Sequence, residues 1–150
     1  MKTTSRKNPE RGTQTLELAL VTPLLILLGL MVCEGGAMIR THQILNNAAR
    51  EGARLSANGE NDCRVVGASC LSAIQQAVVN YAANNRVTIT TGDVTVDQGK
   101  MALLPSGVAV RASEVTVSSP YSLQYLPNLS YFTGSASVTL VGRAEFRNLY

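Results

Sequence analysis

Few side chains in this sequence could take part in catalysis. His42 is the single histidine among 150 residues, so a Ser-His-Asp arrangement would have to use it. It follows a long apolar run closely, and a solvated or headgroup-facing side chain is the simpler interpretation. The acidic residues are scattered, and the sequence has neither a glycine-rich phosphate-binding loop nor a paired Cys-x-x-Cys for a metal ion. We therefore predict no catalytic residue, no cofactor and no metal site.

Two of the three cysteines are spaced for a disulfide. Cys63 and Cys70 flank a short segment, and an oxidising compartment would favour a bond between them. The spacing permits the bond without establishing that the two sulfur atoms are close, and two free thiols are the alternative. Cys33 lies within the apolar run, where we expect a small buried side chain.

A third chemical feature is a carboxylate at the border of the apolar run. Glu17 directly precedes residues 18–39, a stretch of 22 residues whose single charge is Glu34. About 20 helical residues cross a hydrocarbon core about 30 Å thick, so the run predicts a membrane-spanning helix. Its uninterrupted part is shorter and would span only if Glu34 reaches the far headgroups. Pro23 removes one helical hydrogen bond, which membrane helices tolerate when a hydroxyl or a neighbouring helix supplies a partner.

The net charge of +3 belongs to the N-terminal tail. Up to Gly12 the chain has four basic residues against Glu10, and from Thr13 onward nine basic and nine acidic residues balance. Basic residues just before an apolar segment keep that side in the cytoplasm, so the C-terminal part is predicted to be exported. The basic pI reflects a targeting tail and gives no indication of nucleic-acid binding.

Two other interpretations of this segment stay open. A secretory signal peptide also has a basic start and an apolar core, and Gly35-Gly36-Ala37 offers a small-residue cleavage site, although the run is long for that role. Residues 30–33 loosely resemble a lipoprotein cleavage box, with Val32 where a small residue is expected.

The residues just before the apolar run form a motif. Arg11-Gly12-Thr13-Gln14-Thr15-Leu16-Glu17 places a glycine five residues ahead of a glutamate, between a short basic leader and a hydrophobic helix. This arrangement resembles the type IV prepilin processing site. The resemblance implies that a prepilin peptidase cuts between Gly12 and Thr13, at an accessible and extended bond outside the helix. Thr13 would become the first residue of the mature chain and Glu17 the fifth.

Glu17 would then have a role in assembly. A carboxylate costs roughly 2.5–3.5 kcal/mol at the middle of a bilayer, less near an interface, and needs a partner. Cleavage creates one, because the new ammonium of Thr13 lies four residues earlier on the helix. The resemblance further implies charge pairing with the terminal amine of a neighbouring subunit. A solvated glutamate at headgroup level is the alternative.

More residues narrow the resemblance to one family. Residues 17–23, Glu34-Gly35 and residues 47–54 are similar to the TadE-like family, pilin-like proteins of tight-adherence (Flp) pilus systems. The similarity covers residues 11–55. Leu18 and Gly36 depart from it, since the family often has an aromatic residue at the first position and an aromatic residue or arginine at the second. The family implies partnership with prepilin peptidase, other pilin subunits, pilus assembly platform proteins and the lipid bilayer.

Two helices and a sheet would hold these residues. A helical stripe continues past the membrane through Met38, Thr41, Leu45, Ala48, Gly52 and Leu55, with Arg40, Gln43, Asn47, Arg50 and Arg54 elsewhere. One helix is predicted from about Leu16 to Ser56. We expect the chain's own exported domain, in preference to a partner subunit, to pack on the apolar stripe of this helix. A second helix is predicted from about Ser69 to Asn84-Asn85, with Leu71, Ile74, Val78 and Tyr81 on one face.

From Arg86 the pattern changes to period two. Alternating β-branched and polar residues predict strands at residues 87–90, 94–96, 108–110, 115–117 and 138–140. Gly92-Asp93, Gln98-Gly99 and Ser106-Gly107 are predicted turns. The stretch 118–134 is predicted to be a long loop. We expect an antiparallel sheet with one face covered by the helices.

These features predict an α+β, pilin-like chain with four parts. They are a basic leader (1–12), a transmembrane helix (13–39), an amphipathic extension (40–60) and an exported domain (61–150). The predicted function is that of a non-enzymatic minor pilin or pseudopilin in the bacterial inner membrane, with its N-terminus cytoplasmic and its domain periplasmic. A permanently anchored periplasmic adaptor and a secreted domain with a conventional signal peptide are the alternatives.

Overall fold

The computed structural model describes residues 10–58, 62–63, 67–105, 107–123, 125 and 137–148. They form two helices, α1 (Glu10–Ser56) and α2 (Ala68–Asn84), and three strands, β1 (Val94–Leu103), β2 (Ala109–Ser122) and β3 (Ser137–Arg147). The predicted α+β fold, with a long N-terminal helix, a second short helix and an antiparallel sheet, is confirmed.

The N-terminal helix is longer than the periodicity predicted. It has 47 residues, which corresponds to about 70 Å. Its predicted end at Ser56 is confirmed, but it starts at Glu10 instead of Leu16. Pro23 lies inside the helix, and next to it the Thr22 hydroxyl donates to the Leu18 carbonyl at 2.7 Å.

The C-terminal half of α1 packs on the sheet and on α2. Every position of the predicted stripe is buried or half-buried, while the five polar positions named with it are exposed. Leu45, Ala48, Ala49 and Ala53 have no exposed surface and form part of the single core. The chain's own domain therefore covers the stripe, as preferred above.

The second helix agrees with its prediction within one residue. Ile74, Val78 and Ala82 are buried, and Leu71 and Tyr81 are half-buried. This face of α2 packs against α1 and the start of β1. The two helices thus cover the same side of the sheet.

The sheet has the strand order β1-β2-β3 and is antiparallel throughout. The covered face carries Val94, Val115, Val117, Tyr121, Leu140 and Ala144, all buried. The other face carries a network of ion pairs in which Lys100 and Arg143 both contact Glu114 and Lys100 also contacts Glu145. The expected division into one covered and one open face is correct.

Several details of the predicted strands are wrong. Residues 87–90 form no strand and lead into a 3-10 turn at Thr91–Asp93. Gln98-Gly99 is not a turn but an irregularity inside β1, where the register shifts between Asp97 and Lys100. The backbone N–H of Gly99 donates to the Asp97 carboxylate at 2.8 Å, so a turn-like local bond occurs within a continuous strand.

The second strand is also longer than predicted. Residues 108–110 and 115–117 were expected as separate strands, but Ala109–Ser122 is continuous and includes the first residues of the predicted loop. Pro120 pairs with Thr139 of β3, whereas pairing with β1 stops at Val117. Proline has no N–H, and it is tolerated where a strand has a neighbour on one side only. Most of the remaining predicted loop lies outside the described residues.

Candidate functional site

The N-terminal part of α1 is an uncovered apolar surface. From Thr13 to Cys33 every side chain is exposed except Leu30, which is intermediate. These 21 residues correspond to about 31 Å of helix, the thickness of a bilayer's hydrocarbon core. This part of α1 is long and apolar enough to cross a membrane. An apolar surface of this size requires lipid or other protein as its surroundings.

The residues of the prepilin-like motif lie in the first turns of α1. Thr13 and Glu17 are one turn apart, and Glu17 borders a shallow hollow with Gln14, Leu18 and Val21. Glu17 is exposed, and none of the described residues pairs with its carboxylate. The bond between Gly12 and Thr13 was expected to be extended, but it lies inside the helix because α1 begins at Glu10. A peptidase acting there has to unwind the first turn.

Glu34 marks the C-terminal end of the uncovered apolar surface of α1. It is 5% exposed, and its carboxylate accepts hydrogen bonds from the Tyr121 hydroxyl and the Tyr125 backbone N–H, both at 2.7 Å. A buried charge requires such partners. Burial and then the hydrogen bond to Glu34 raise the pKa of Tyr121 to about 12. The uncovered apolar surface therefore ends at Cys33, because the next residue belongs to the domain.

Glu34 was expected to be a charge within the apolar run, but not a residue of the domain. One signal was available: an acid inside an apolar run needs a partner. Its partners lie 87 and 91 residues later, in a stretch that was predicted to be a loop. Nothing in the local pattern connects positions so far apart.

The structure contains a disulfide between Cys63 and Cys70, whose Cα atoms are 5.2 Å apart. The backbone N–H of Cys63 donates to the Gln98 side chain at 2.9 Å, and the Gln98 amide donates to the Ser56 carbonyl at 3.1 Å. The last carbonyls of a helix lack partners within it, so Gln98 satisfies the end of α1. Gln98 thus connects the disulfide loop to the helix end.

Among the described residues, His42 and Cys33 form no comparable contacts between parts of the domain. His42 is exposed, and its ring contacts the Asn46 side chain at 3.2 Å. Cys33 was expected to be buried, but it is exposed, and it lies at the edge of the part of α1 that the described domain covers. Within the described ranges, no group of three or more histidine, cysteine or acidic side chains could hold a metal ion.

Comparison with known proteins finds a family match within α1. Residues 12–54 match a family described as TadE-like protein. The match starts at the glycine of the motif and ends two residues before the end of α1, so the resemblance is confirmed for this segment. No curated protein and no solved structure matches the chain.

Proposed function

We propose that this chain is a TadE-like minor pilin or pseudopilin that serves in the assembly of a tight-adherence pilus. It inserts into the inner membrane as a precursor, with its tail in the cytoplasm and its domain in the periplasm. A prepilin peptidase then trims the tail, and the mature chain joins other pilin subunits and the assembly platform. Its role is structural and not enzymatic.

The observation that carries this proposal is the uncovered apolar surface between Thr13 and Cys33, within the TadE-like match. In the bilayer, lipid tails surround this surface. After extraction from the bilayer, the same surface requires apolar helices of neighbouring subunits. A helix that is exposed on all sides can be surrounded first by lipid and then by helices of neighbouring subunits. A permanent anchor needs only the lipid.

The proposed trimming divides α1 at its first turn. Removal of residues 1–12 leaves the ammonium group of Thr13 one turn from Glu17, in place of a tail with four basic residues. Charge pairing of Glu17 with such an amine, in its own chain or in a neighbouring subunit, offsets the cost of its position in the membrane. We place the membrane-crossing part at residues 13–33, shorter than the 13–39 expected from hydropathy, since Glu34 is bound by the domain.

Contacts of the domain disfavour the signal-peptide alternative. Gly35-Gly36-Ala37 lies in the middle of α1, and Ala37 and Met38 pack against the core. Cleavage there would remove Glu34 and leave the Tyr121 hydroxyl without its acceptor. The fold instead favours a mature chain that keeps the whole of α1 beyond Gly12.

Intact-mass measurement on chains expressed with and without a prepilin peptidase tests this function. The proposal expects loss of residues 1–12 only when the peptidase is present. A mature chain that begins near Met38 in both cases would assign the N-terminus to a signal peptide. A chain that keeps Met1 in the presence of an active peptidase would favour the permanently anchored adaptor.

A further inference from the structure

A polar cleft lies where the domain meets the apolar surface of α1. It has a volume of about 470 Å³ and lies between α1, from Cys33 to Ile44, and the segment that follows α2. Arg40 of α1 and Arg86 of that segment both line it. Both arginines are exposed, and neither side chain has a hydrogen-bond or ion-pair partner among the described residues.

Acidic groups at this end of the domain are engaged with other partners. Glu34 accepts the hydroxyl of Tyr121 and the N–H of Tyr125. The carboxylate of Asp93 accepts the backbone N–H and the hydroxyl of Thr90, both at 2.8 Å. Neither of these two carboxylates forms an ion pair with Arg40 or Arg86.

The backbone at Arg86 takes a conformation that is unusual for arginine. The N–H groups of Arg86 and Val87 donate to the carbonyls of Ala83 and Ala82, a Schellman ending of α2. Arg86 takes φ 64°, the left-handed conformation that normally calls for glycine at this position. A non-glycine residue is strained there, and such strain is often found at functional positions.

The position of the cleft corresponds to the headgroups of a bilayer around residues 13–33. Arg40 lies seven residues beyond Cys33, about 10 Å along the helix. The polar zone of one leaflet extends about 5–8 Å beyond the hydrocarbon core. Helical side chains tilt toward the N-terminus of their helix, which here is the membrane side, so the long arginine stem reaches back toward the headgroups.

We propose that this cleft binds the headgroup phosphate of an acidic phospholipid in the leaflet that faces the domain. The guanidinium groups of Arg40 and Arg86 have no partner in the part of the chain that the structure describes, and each offers paired donors that match phosphate oxygens. The cleft continues to Cys33 at the end of the apolar surface. A lipid can therefore place its phosphate between the arginines and its acyl chains along α1. Removal of residues 1–12 changes nothing in the cleft, so the site does not depend on the proposed processing.

Native mass spectrometry of the full-length protein tests this site. The chain is reconstituted in nanodiscs of equal phosphatidylglycerol and phosphatidylcholine, released into mild detergent, and scored for retained lipid. We expect selective retention of phosphatidylglycerol. The Arg40→Gln/Arg86→Gln variant should lose about twenty-five-fold in this preference, since each arginine near an anionic surface contributes about fivefold.

Matched variants separate the site from general electrostatics and from folding. Arg50→Gln removes an exposed arginine farther along α1 and should leave the preference unchanged. Arg86→Gly supplies the residue that the backbone favours, so it should lose about fivefold in the preference with an unchanged or higher thermal midpoint.

Three outcomes would overturn the proposal. The first is equal retention of both lipids by the unaltered chain. The second is loss of preference together with thermal stability in Arg86→Gly, which would make Arg86 a structural residue. The third is displacement of the lipid by millimolar glycerol phosphate in solution, which would show a site for free phosphate.

Discussion

The backbone of Gly142 in β3 lies directly against the backbone of Leu45 in α1. A Cβ atom built on Gly142 would be 2.6 Å from the Leu45 carbonyl oxygen and 2.7 Å from the backbone nitrogen of Asn46. The neighbouring N–H of Arg143 donates to the Asn46 side chain at 3.2 Å. Helix and strand therefore meet backbone to backbone, without side chains between them, and only glycine permits this approach.

Gly142→Ala should destabilise the domain by about 1–3 kcal/mol, the usual cost of overpacking, because helix and strand have to separate. Thermal unfolding of the detergent-solubilised chain, followed by near-ultraviolet circular dichroism, measures the change. Gly92→Ala is the control, since the nearest atom to its Cβ would be 3.6 Å away. Equal midpoints for the two variants would contradict the close contact between α1 and β3.

Glu34→Leu should lower the free energy of unfolding by about 1–3 kcal/mol, because the Tyr121 hydroxyl and the Tyr125 N–H lose their acceptor. Glu51→Leu is the matched control on the same helix. Its carboxylate pairs with Arg54 at the surface, where solvent screens the ion pair and its contribution to stability is small. Chemical denaturation in detergent compares them, and a larger loss in Glu51→Leu would argue against the role assigned to Glu34.

Alkaline pH should release the contact between Tyr121 and Glu34. The pKa of Tyr121 is raised from 10.0 to about 12 in the fold, so its contribution to stability is complete below pH 10 and is lost as the pH rises toward 12. Absorbance of tyrosinate near 295 nm should show one late step that coincides with loss of tertiary structure. Tyr121→Phe should remove that step. Persistence of the late step in this variant would assign it to another tyrosine.

Glu17→Ala should separate assembly from folding. It removes a charge from the membrane segment, so insertion should be unimpaired and trimming should still occur, while incorporation into pili should fall. Gln14→Ala alters the same hollow without changing the charge and should assemble normally. Recovery of the chain with sheared pili measures the effect. Normal incorporation of Glu17→Ala would eliminate charge pairing as the role of this residue.

Changes at Gly12 should test whether cutting requires an unwound first turn. Alanine favours the helix by about 1 kcal/mol over glycine. Gly12→Ala should therefore slow trimming about fivefold if the first turn of α1 must unwind before the bond is cut. Gly12→Leu should also clash at the peptidase and accumulate as a full-length membrane precursor. Time courses of intact mass with the peptidase present measure both rates. A Gly12→Ala chain cut at the original rate would show that helix unwinding does not limit the reaction.

Local periodicity was sufficient to predict the helices and their faces. Leu45, Ala48 and Gly52 recur at helical spacing, and burial of one stripe follows from that spacing whatever covers it. The same holds for Ile74 and Val78 in α2. The pairing of Cys63 with Cys70 was also accessible, since both residues lie in one short segment.

Long-range and ambiguous signals account for what was missed. Gln98-Gly99 has the composition of a turn, but a bulge uses the same residues, and only pairing with β2 distinguishes them. Gln98 itself reaches Ser56, 42 residues earlier, which no period reveals. The partners of Glu34 could likewise not be predicted, because they lie at and just after the end of β2, which only the tertiary fold brings next to α1.

The continuity of α1 has a mechanical consequence. Its second half supplies core residues of the domain, and the membrane-compatible first half joins it without an intervening linker. A pull on the domain is therefore transmitted to the other end through the hydrogen bonds of one helix. Where helix meets sheet, the load acts as shear along the contact of Leu45 with Gly142. Shear loads many contacts at once, so the domain should resist traction along α1 better than traction that peels β3 away from the helix.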